Sequence, residues 1–172
     1  TLAELLASEE RAAHYEGGSY ATLYLSPRDY HRVHSPASGR ITGSSYVPGR
    51  LYPVNPAAVA HVGSLFSRNE RLITHLETDH LGQIEVVMVG ATCVGHIKTM
   101  YDATIATNCG ATEIKTKRYA PPRPIARGAE LGVFEMGSTV IVIVEPRVRI
   151  APLSPGTPVR VGRRLGTLIQ SG

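Results

Sequence analysis

A glycine–serine step is the clearest reactive feature of this 172-residue sequence. Gly137 and Ser138 lie in the segment EMGST, which leads directly into the β-branched run VIVIV at 140–144. Because glycine lets the backbone bend into strained geometry, the Ser138 hydroxyl can attack the carbonyl of Gly137 and convert the amide into an ester. Elimination would then split the chain and leave a dehydroalanine that hydrolyses to a pyruvoyl group. The alternative is a plain Gly-Ser turn ahead of a core strand.

This chemistry requires a base, and two histidines are suited to supply it. His31 and His34 lie three residues apart in the segment SPRDYHRVHSP at 26–36. Ser26 can cap a helix and Pro27 suits the first helical position, which favours one or two helical turns closed by Pro36. On such a turn the two imidazoles share a face, and imidazole is the side chain suited to proton transfer near neutral pH. The two histidines can act together only if this helical prediction holds.

Other chemistries are less well supported by the residue spacing. Two histidines in an H-x-x-H pattern are half of a zinc site, which needs three or four ligands, so no metal is expected. The sequence around Ser138 lacks the G-x-S-x-G elbow of a serine esterase. Cys93 is predicted to be a buried strand thiol, and with Cys109 it forms neither a disulfide framework nor a metal knuckle.

Turn and strand signals dominate the elements that must position these residues. Thr1 and Glu4 form a capping box for a helix over 1–11. Strands are expected at 19–25, 72–77 and 83–89. The last of these is expected to continue to Thr99 with a break at Gly95. Two further short strands are expected within 39–54, on either side of the Pro48-Gly49 turn. Asn55-Pro56 is expected to open a loop, and the proline-rich stretch 121–124 is unsuited to a central strand.

A short internal repeat completes the prediction of the fold. The pattern G-x-x-L-G-x-apolar occurs at 128–134 and again at 162–168. Two copies of a turn-and-strand unit predict pseudo-symmetric hairpins, although chance recurrence in a glycine-rich chain is the alternative. We predict a mainly β protein with short helices (α+β), whose antiparallel sheets pack as a β-sandwich or barrel-like core in a single domain over 1–172.

The charge pattern limits the classes of partner. The net charge of +4 comes without a dense Lys/Arg block, so nucleic-acid binding is not predicted. The longest apolar run is far below the roughly 18 residues that a membrane-spanning helix needs. A basic surface can still rest on an anionic membrane, so peripheral binding is the expectation.

Five motifs together resemble the phosphatidylserine decarboxylase family. They are YLSPRDYHRVHSP (24–36), RLYPVNP (50–56), LFSRNERL (65–72), VMVGATCVGHIKT (87–99) and GVFEMGSTVI (132–141), and the resemblance runs from about Thr1 to Leu168. It implies a proenzyme that cleaves itself between Gly137 and Ser138. A large β chain (1–137) and a small α chain (138–172) would result, with Ser138 converted into the pyruvoyl cofactor at the new N-terminus.

The same resemblance implies roles for individual side chains. His34 matches the histidine of self-cleavage, and His31 matches the one that donates a proton during decarboxylation. Tyr24 and His31 are expected to bind substrate. Met136 replaces the leucine of the usual L-G-S-T site, a mild change. The family's self-cleavage aspartate lies in an upstream P-A-D-G-type motif that this sequence lacks, and Asp29 is not expected to replace it, so we predict slow or absent processing.

The resemblance also implies partners and a location. Phosphatidylserine is the expected substrate and phosphatidylethanolamine the product, made by a homodimer on the cytoplasmic face of a bacterial inner membrane or on an organelle's inner membrane. A smaller amino acid as substrate, or an unprocessed relative that only binds lipid, are the alternatives. A lipoyl- or biotinyl-type carrier module is a further rival, but no candidate lysine (Lys98, Lys115, Lys117) has an M-K-M-like context.

Overall fold

Antiparallel sheets form most of the protein, as the sequence predicts. The structure is a computed structural model that describes residues 1–92, 96–135 and 137–169. Its strands are β1 (Ser19–Leu25), β2 (Arg32–His34), β3 (Gly39–Val47), β4 (Arg71–Thr78), β5 (Gln83–Val89), β6 (Ile97–Thr99), β7 (Lys115–Ile125), β8 (Glu130–Phe134), β9 (Ser138–Val144), β10 (Val148–Ile150) and β11 (Gly166–Leu168). Its helices are α1 (Leu2–Leu6), α2 (Glu9–His14), α3 (Pro56–His61) and α4 (Leu65–Arg68).

The strands form one large sheet and two small ones. The six-stranded sheet has the order β1-β9-β5-β4-β3-β7, and the smaller sheets have the orders β2-β8-β6 and β10-β11. All seven residues of β9 are buried, and its β-branched side chains pack with those of β5 in the core. The expected α+β class with a sandwich-like core is confirmed. The barrel-like alternative is wrong for the described residues, because the large sheet ends on β1 and β7 and does not close.

The N-terminal helical region begins as predicted but is interrupted. Thr1 and Glu4 form the expected capping box on α1. Ala7 then adopts a left-handed conformation with φ 52°, and Ser8 caps a separate helix, α2. The buried Arg71 of β4 fixes α1 to the sheet by donating to the carbonyls of Glu4 and Leu5, both at 2.6 Å.

The segment that carries the two histidines is not helical, and this prediction was wrong. Ser26 and Asp29 close a single turn, after which 32–34 form β2. Strand β2 pairs antiparallel with β8 and buries Val33. Backbone hydrogen bonds and burial of a β-branched side chain thus outweigh the local helical preference. His31 and His34 therefore do not share the face of a helix.

Several boundaries also differ from the prediction. Asn55 caps a helix by accepting from the Ala58 amide at 2.9 Å, so Pro56 starts α3 and not a loop. No second strand follows Pro48-Gly49 in the described residues, where a single bridge joins Arg50 to Asn69. Strand β5 ends at Val89, and β6 belongs to another sheet. The predicted break at Gly95 and the predicted strand thiol Cys93 lie outside the described residues.

The structure shows where the proline-rich stretch and the repeated glycine turn lie. The proline-rich stretch 121–124 lies in β7, which is an edge strand and so loses few ladder hydrogen bonds. Gly128 and Gly162 of the repeat adopt nearly the same φ, 81° and 82°, ahead of β8 and β11. These strands lie in different sheets, so the repeat is a shared turn and not a pair of hairpins packed together.

Two surface properties complete the description. The thiol of Cys109 is free and exposed. Among the described helices, none has the length and apolar character needed to cross a membrane.

Candidate functional site

Ser138 lies at the first position of the most buried strand. It pairs with Leu25 of β1 and is fully buried, at 0 % exposure. Its hydroxyl donates to the carbonyl of Val89 at the end of β5 and accepts from the Thr139 amide at 2.6 Å. A carbonyl oxygen orients a hydroxyl but does not remove its proton at neutral pH. Attack by Ser138 therefore requires a separate base.

Gly137 is held against the turn that precedes the histidines. A Cβ added to Gly137 would lie 2.8 Å from the Pro27 nitrogen and 2.9 Å from the Leu25 carbonyl oxygen. Both distances are shorter than real side-chain contacts, and both obstacles are backbone atoms. The position is thus reserved for glycine because two chain segments meet there. The same contact brings the Gly137–Ser138 bond beside the segment 26–31.

His31 is attached to this contact by two hydrogen bonds. Its Nε2 donates to the Pro27 carbonyl at 3.3 Å, and its own carbonyl accepts from the Phe134 amide at 3.1 Å. Because Nε2 carries the proton in that bond, Nδ1 of the neutral ring has a free lone pair. Nδ1 is buried and has no hydrogen-bond partner in the part of the chain that the structure describes. This nitrogen is available to accept or carry a proton.

Thr139 follows Ser138 in β9 and carries a second unpartnered polar atom. Its Oγ1 is buried and has no hydrogen-bond partner among the described residues, which costs about 1–3 kcal/mol. Neighbouring residues of a strand point to opposite faces, so Thr139 Oγ1 does not lie on the face of Ser138. His31 Nδ1 belongs to the segment that packs against Gly137, so the residues present fit a small carbonyl cofactor made from Ser138.

His34 forms hydrogen bonds with residues other than Ser138. Its Nδ1 donates to the Gly128 carbonyl at 2.8 Å, and its Nε2 accepts from the Tyr30 hydroxyl at 2.8 Å. The Tyr30 ring also stacks on the imidazole, with centroids 5.6 Å apart. The Gly128 carbonyl thus sets the tautomer in which Nε2 is the basic nitrogen. In the structure, the lone pair of that nitrogen already accepts the hydrogen bond from the Tyr30 hydroxyl.

Tyr24 lies next to the reactive step on the neighbouring strand. It is directly opposite Thr139 in the β1–β9 pair and is 42 % exposed. Opposed residues of an antiparallel pair have side chains on the same face, so Tyr24 lies on the face of Thr139 and not on that of Ser138. A half-exposed aromatic ring at this position can contact a substrate that reaches the strand end.

Charged residues beside the site have structural partners. The Asp29 carboxylate accepts from the Ser26 amide at 2.8 Å and so holds the turn, which agrees with leaving it out of the catalytic set. Lys98 and Glu135 form an ion pair at 2.7 Å just before the reactive step. The hydrogen bond from Lys98 lowers the pKa of the Glu135 carboxyl.

Sequence reasoning missed four groups that organise the site. They are the carbonyls of Val89 and Gly128, the backbone of Pro27 and the hydroxyl of Tyr30. Backbone carbonyls leave no residue-type signal, because any amino acid provides one. Tyr30 had no signal in the spacing either, since its contact with His34 depends on the turn and strand that replace the predicted helix.

The fold and site together define a β-rich domain with a buried, tightly packed Gly-Ser step at the mouth of a core strand. Residues 1–167 match the family model described as phosphatidylserine decarboxylase. The chain belongs to the phosphatidylserine decarboxylase family.

Individual relatives agree with this assignment. The chain is 53 % identical over 167 residues to a phosphatidylserine decarboxylase proenzyme of Anaeromyxobacter sp. (strain K), covering 95 % of this chain and 59 % of that protein. It is 48 % identical over 171 residues to the proenzyme of Myxococcus xanthus (strain DK1622), covering 98 % of this chain and 60 % of that protein. The chain thus spans about three fifths of the length of these relatives.

Proposed function

We propose that this chain is the catalytic segment of a pyruvoyl-dependent decarboxylase that converts phosphatidylserine to phosphatidylethanolamine. The observation that carries the proposal is the fully buried Ser138 directly after a glycine whose Cβ would collide with backbone atoms. Relatives named phosphatidylserine decarboxylase proenzyme support a maturation step at this bond. The proposed products are a large chain, 1–137, and a small chain, 138–172.

Maturation begins on the chain's own atoms. Ser138 Oγ bonds to the carbonyl carbon of Gly137, and the hydroxyl proton passes through a base to the Ser138 nitrogen as the peptide C–N bond breaks. Removal of the Ser138 Cα proton then breaks the Cβ–O bond and releases Gly137 as a carboxylate. One water adds and one ammonia leaves, which turns the residue into a ketone. We assign the first proton to His34 Nε2, which must exchange the Tyr30 hydroxyl for Ser138.

Decarboxylation uses the second histidine. A pyruvoyl group supplies a ketone that can hold the substrate amine and withdraw the electrons released when carbon dioxide leaves. His31 would deliver a proton to the substrate α-carbon through Nδ1, which is buried and unpartnered. Its Nε2 stays bonded to Pro27, so the ring orientation is fixed while the proton moves. Tyr24 would contact the substrate at the exposed strand end.

The setting that we propose is a membrane surface. A phospholipid substrate has to be reached at a bilayer, so we propose a peripheral protein at the cytoplasmic face of a bacterial inner membrane, or the inner membrane of an organelle. The positive net charge of +4 favours anionic lipid. We also propose a homodimer, as the family resemblance implies. Vesicle sedimentation and analytical ultracentrifugation test these two proposals directly.

An unprocessed, lipid-binding relative is the second candidate function. It is favoured by one observation: both His34 nitrogens have partners other than Ser138, and Ser138 donates to a carbonyl. In this arrangement no base is in contact with the attacking hydroxyl. A third possibility is a decarboxylase of a smaller amino acid. An assay with free serine in place of phosphatidylserine tests it, because only such an enzyme would release carbon dioxide from free serine.

Intact mass under denaturing conditions tests the proposed maturation. We expect slow formation of two fragments split after Gly137, the second lighter than simple hydrolysis would give by the mass of one ammonia and reactive with hydroxylamine. Ser138→Ala should remain one chain and be inactive. A wild-type chain that stays whole would favour the unprocessed candidate, and cleavage of the alanine variant would refute the role of Ser138.

His31→Ala separates the two reactions. We expect it to cleave normally while phosphatidylethanolamine formation falls by about 100-fold or more, since a positioned proton donor contributes that much. His61→Ala, on the exposed helix α3, is the matched control and should retain full activity. Full activity of His31→Ala would contradict the assignment.

A further inference from the structure

A second serine, histidine and carboxylate are aligned across the large sheet. Ser45 Oγ lies 2.9 Å from His75 Nε2, and His75 Nδ1 lies 2.5 Å from Glu85 Oε2. The three residues come from β3, β4 and β5 and are 6 %, 2 % and 1 % exposed. Glu85 is opposite Ile143, five positions along β9 from Ser138, so this group is separate from the cleavage site.

The hydrogen bonds define which atoms carry protons. A carboxylate at Nδ1 accepts the ring proton, so Nε2 of neutral His75 accepts the hydroxyl proton of Ser45. Arg11 Nη1 donates to the other Glu85 oxygen at 3.0 Å, which orients the carboxylate. This is the arrangement by which a serine hydroxyl is activated for acyl transfer.

Ser45 is reachable from outside although it is almost buried. It lies at the wall of a cavity of about 370 Å³ between the α1–α2 segment and β7. The cavity is also lined by Arg11, His14 and Arg118. Among the described residues that line it, Glu10 is the one carboxylate. The Thr116 hydroxyl is 3.2 Å from Ser45 Oγ. The cavity therefore combines an activated hydroxyl with cationic and hydroxyl donors, and its volume suits a small molecule.

We propose that Ser45 is a second reactive serine that takes an acyl group from small carboxylic esters entering this cavity. Ser45 Oγ bonds to the ester carbonyl carbon, and its proton passes to His75 Nε2 and then to the departing alcohol. Water then attacks the acyl-serine with His75 as base, which releases the carboxylic acid and restores Ser45. Thr116 and Arg118 are the donors available to the oxyanion formed in each step.

Covalent labelling in a Ser138→Ala background tests the proposal, because neither a pyruvoyl group nor the Ser138 hydroxyl remains there. The probe is an alkyl fluorophosphonate, which loses fluoride as the serine oxygen bonds to phosphorus. We expect the adduct on the peptide containing Ser45, together with hydrolysis of p-nitrophenyl acetate. Both should disappear in Ser45→Ala, and Glu85→Gln should slow labelling at least about tenfold.

Ser44→Ala is the matched control. Ser44 is the buried neighbour on the opposite face of β3, where it contacts the Tyr119 hydroxyl at 3.2 Å, and its loss should leave labelling unchanged. Folding of each variant is checked by thermal unfolding. If Ser45→Ala does not fold, Ser45→Cys keeps a side chain of similar size, and its new thiol should react with iodoacetamide faster than the exposed Cys109. No adduct on Ser45 in the folded protein, an adduct elsewhere only, or a slow reaction of the thiol introduced by Ser45→Cys would overturn the proposal.

Discussion

Gly137 shows how one residue type can be required by its neighbours. The atoms that a side chain would meet are the Pro27 nitrogen and the Leu25 carbonyl oxygen, and neither can move without shifting a strand or a proline ring. Glycine is therefore needed here for close approach of two chain segments, whatever its part in the chemistry. The consequence is that the Gly137–Ser138 bond and the histidine-bearing turn are held together.

Gly137→Ala tests this packing. The added methyl must displace backbone, so we expect the free energy of unfolding to fall by about 1–3 kcal/mol. Self-cleavage should also slow, because the bond moves away from the turn. Thermal unfolding and the fraction cleaved over time measure the two effects. Gly63→Ala is the control, since a Cβ there meets nothing within 4 Å and should change neither quantity. Equal behaviour of the two variants would refute the packing argument.

At the scale of elements, a buried carboxylate fixes the segment after β6 to β7. Asp102 is 4 % exposed and accepts hydrogen bonds from the Tyr119 hydroxyl at 2.9 Å and the Thr104 hydroxyl at 2.7 Å, with Lys117 Nζ at 2.6 Å. Burial alone would raise the pKa of Asp102, but the hydrogen bonds from Lys117, Thr104 and Tyr119 outweigh it and hold the pKa well below its usual range. The ionised form is therefore the one that stabilises the fold.

Asp102→Asn should make this contribution visible as a pH dependence. A lowered pKa in the folded state means that the stabilisation is complete above the ordinary aspartate pKa of about 4 and is lost as the pH falls below it. We expect the variant to lose about 2–3 kcal/mol of unfolding free energy at pH 7, with the difference from wild type shrinking in acid. Urea unfolding from pH 7 to pH 2 measures it. Asp79→Asn, at an exposed position, should show no such trend.

At the scale of the whole molecule, the proposed cleavage would not release the small chain. Strand β9 pairs with β1 over seven residues and with β5 over six, and each of its side chains is buried. Removing β9 would separate β1 from the six-stranded sheet and expose the edge of β5. The two products of cleavage are thus expected to form one folded unit.

This gives a direct prediction for the processed protein. The two fragments should co-elute as one species in size-exclusion chromatography under native conditions and separate only in denaturant. Their separation should coincide with loss of secondary structure measured by circular dichroism, because β9 cannot leave without unfolding the sheet. Fragments that separate while the fold persists would contradict the pairing of β9 between β1 and β5.

The sequence alone predicted much of the fold and supplied the candidate residues of the proposed site. Alternating and β-branched patterns located β1, β4, β5 and β9, because these strands are specified by which side chains they bury. Capping residues located the start of α1 for an equally local reason. The Gly137–Ser138 step, His31 and His34 were singled out by residue type and spacing. Choosing these residues as candidates needed no tertiary information, because the proposed chemistry requires a hydroxyl and an imidazole, and the residue types show where these groups are.

The tertiary structure decided how these residues are arranged. Local preference favoured a helical turn for His31 and His34, but pairing of β2 with β8 separates them, and pairing partners are far apart in sequence. Only folding brings the Gly128 carbonyl to His34 and the Val89 carbonyl to Ser138. Backbone atoms carry no residue-type signal, and contacts between distant segments depend on the whole sheet. The sequence therefore determined which groups can react, and the sheet determined which of them meet.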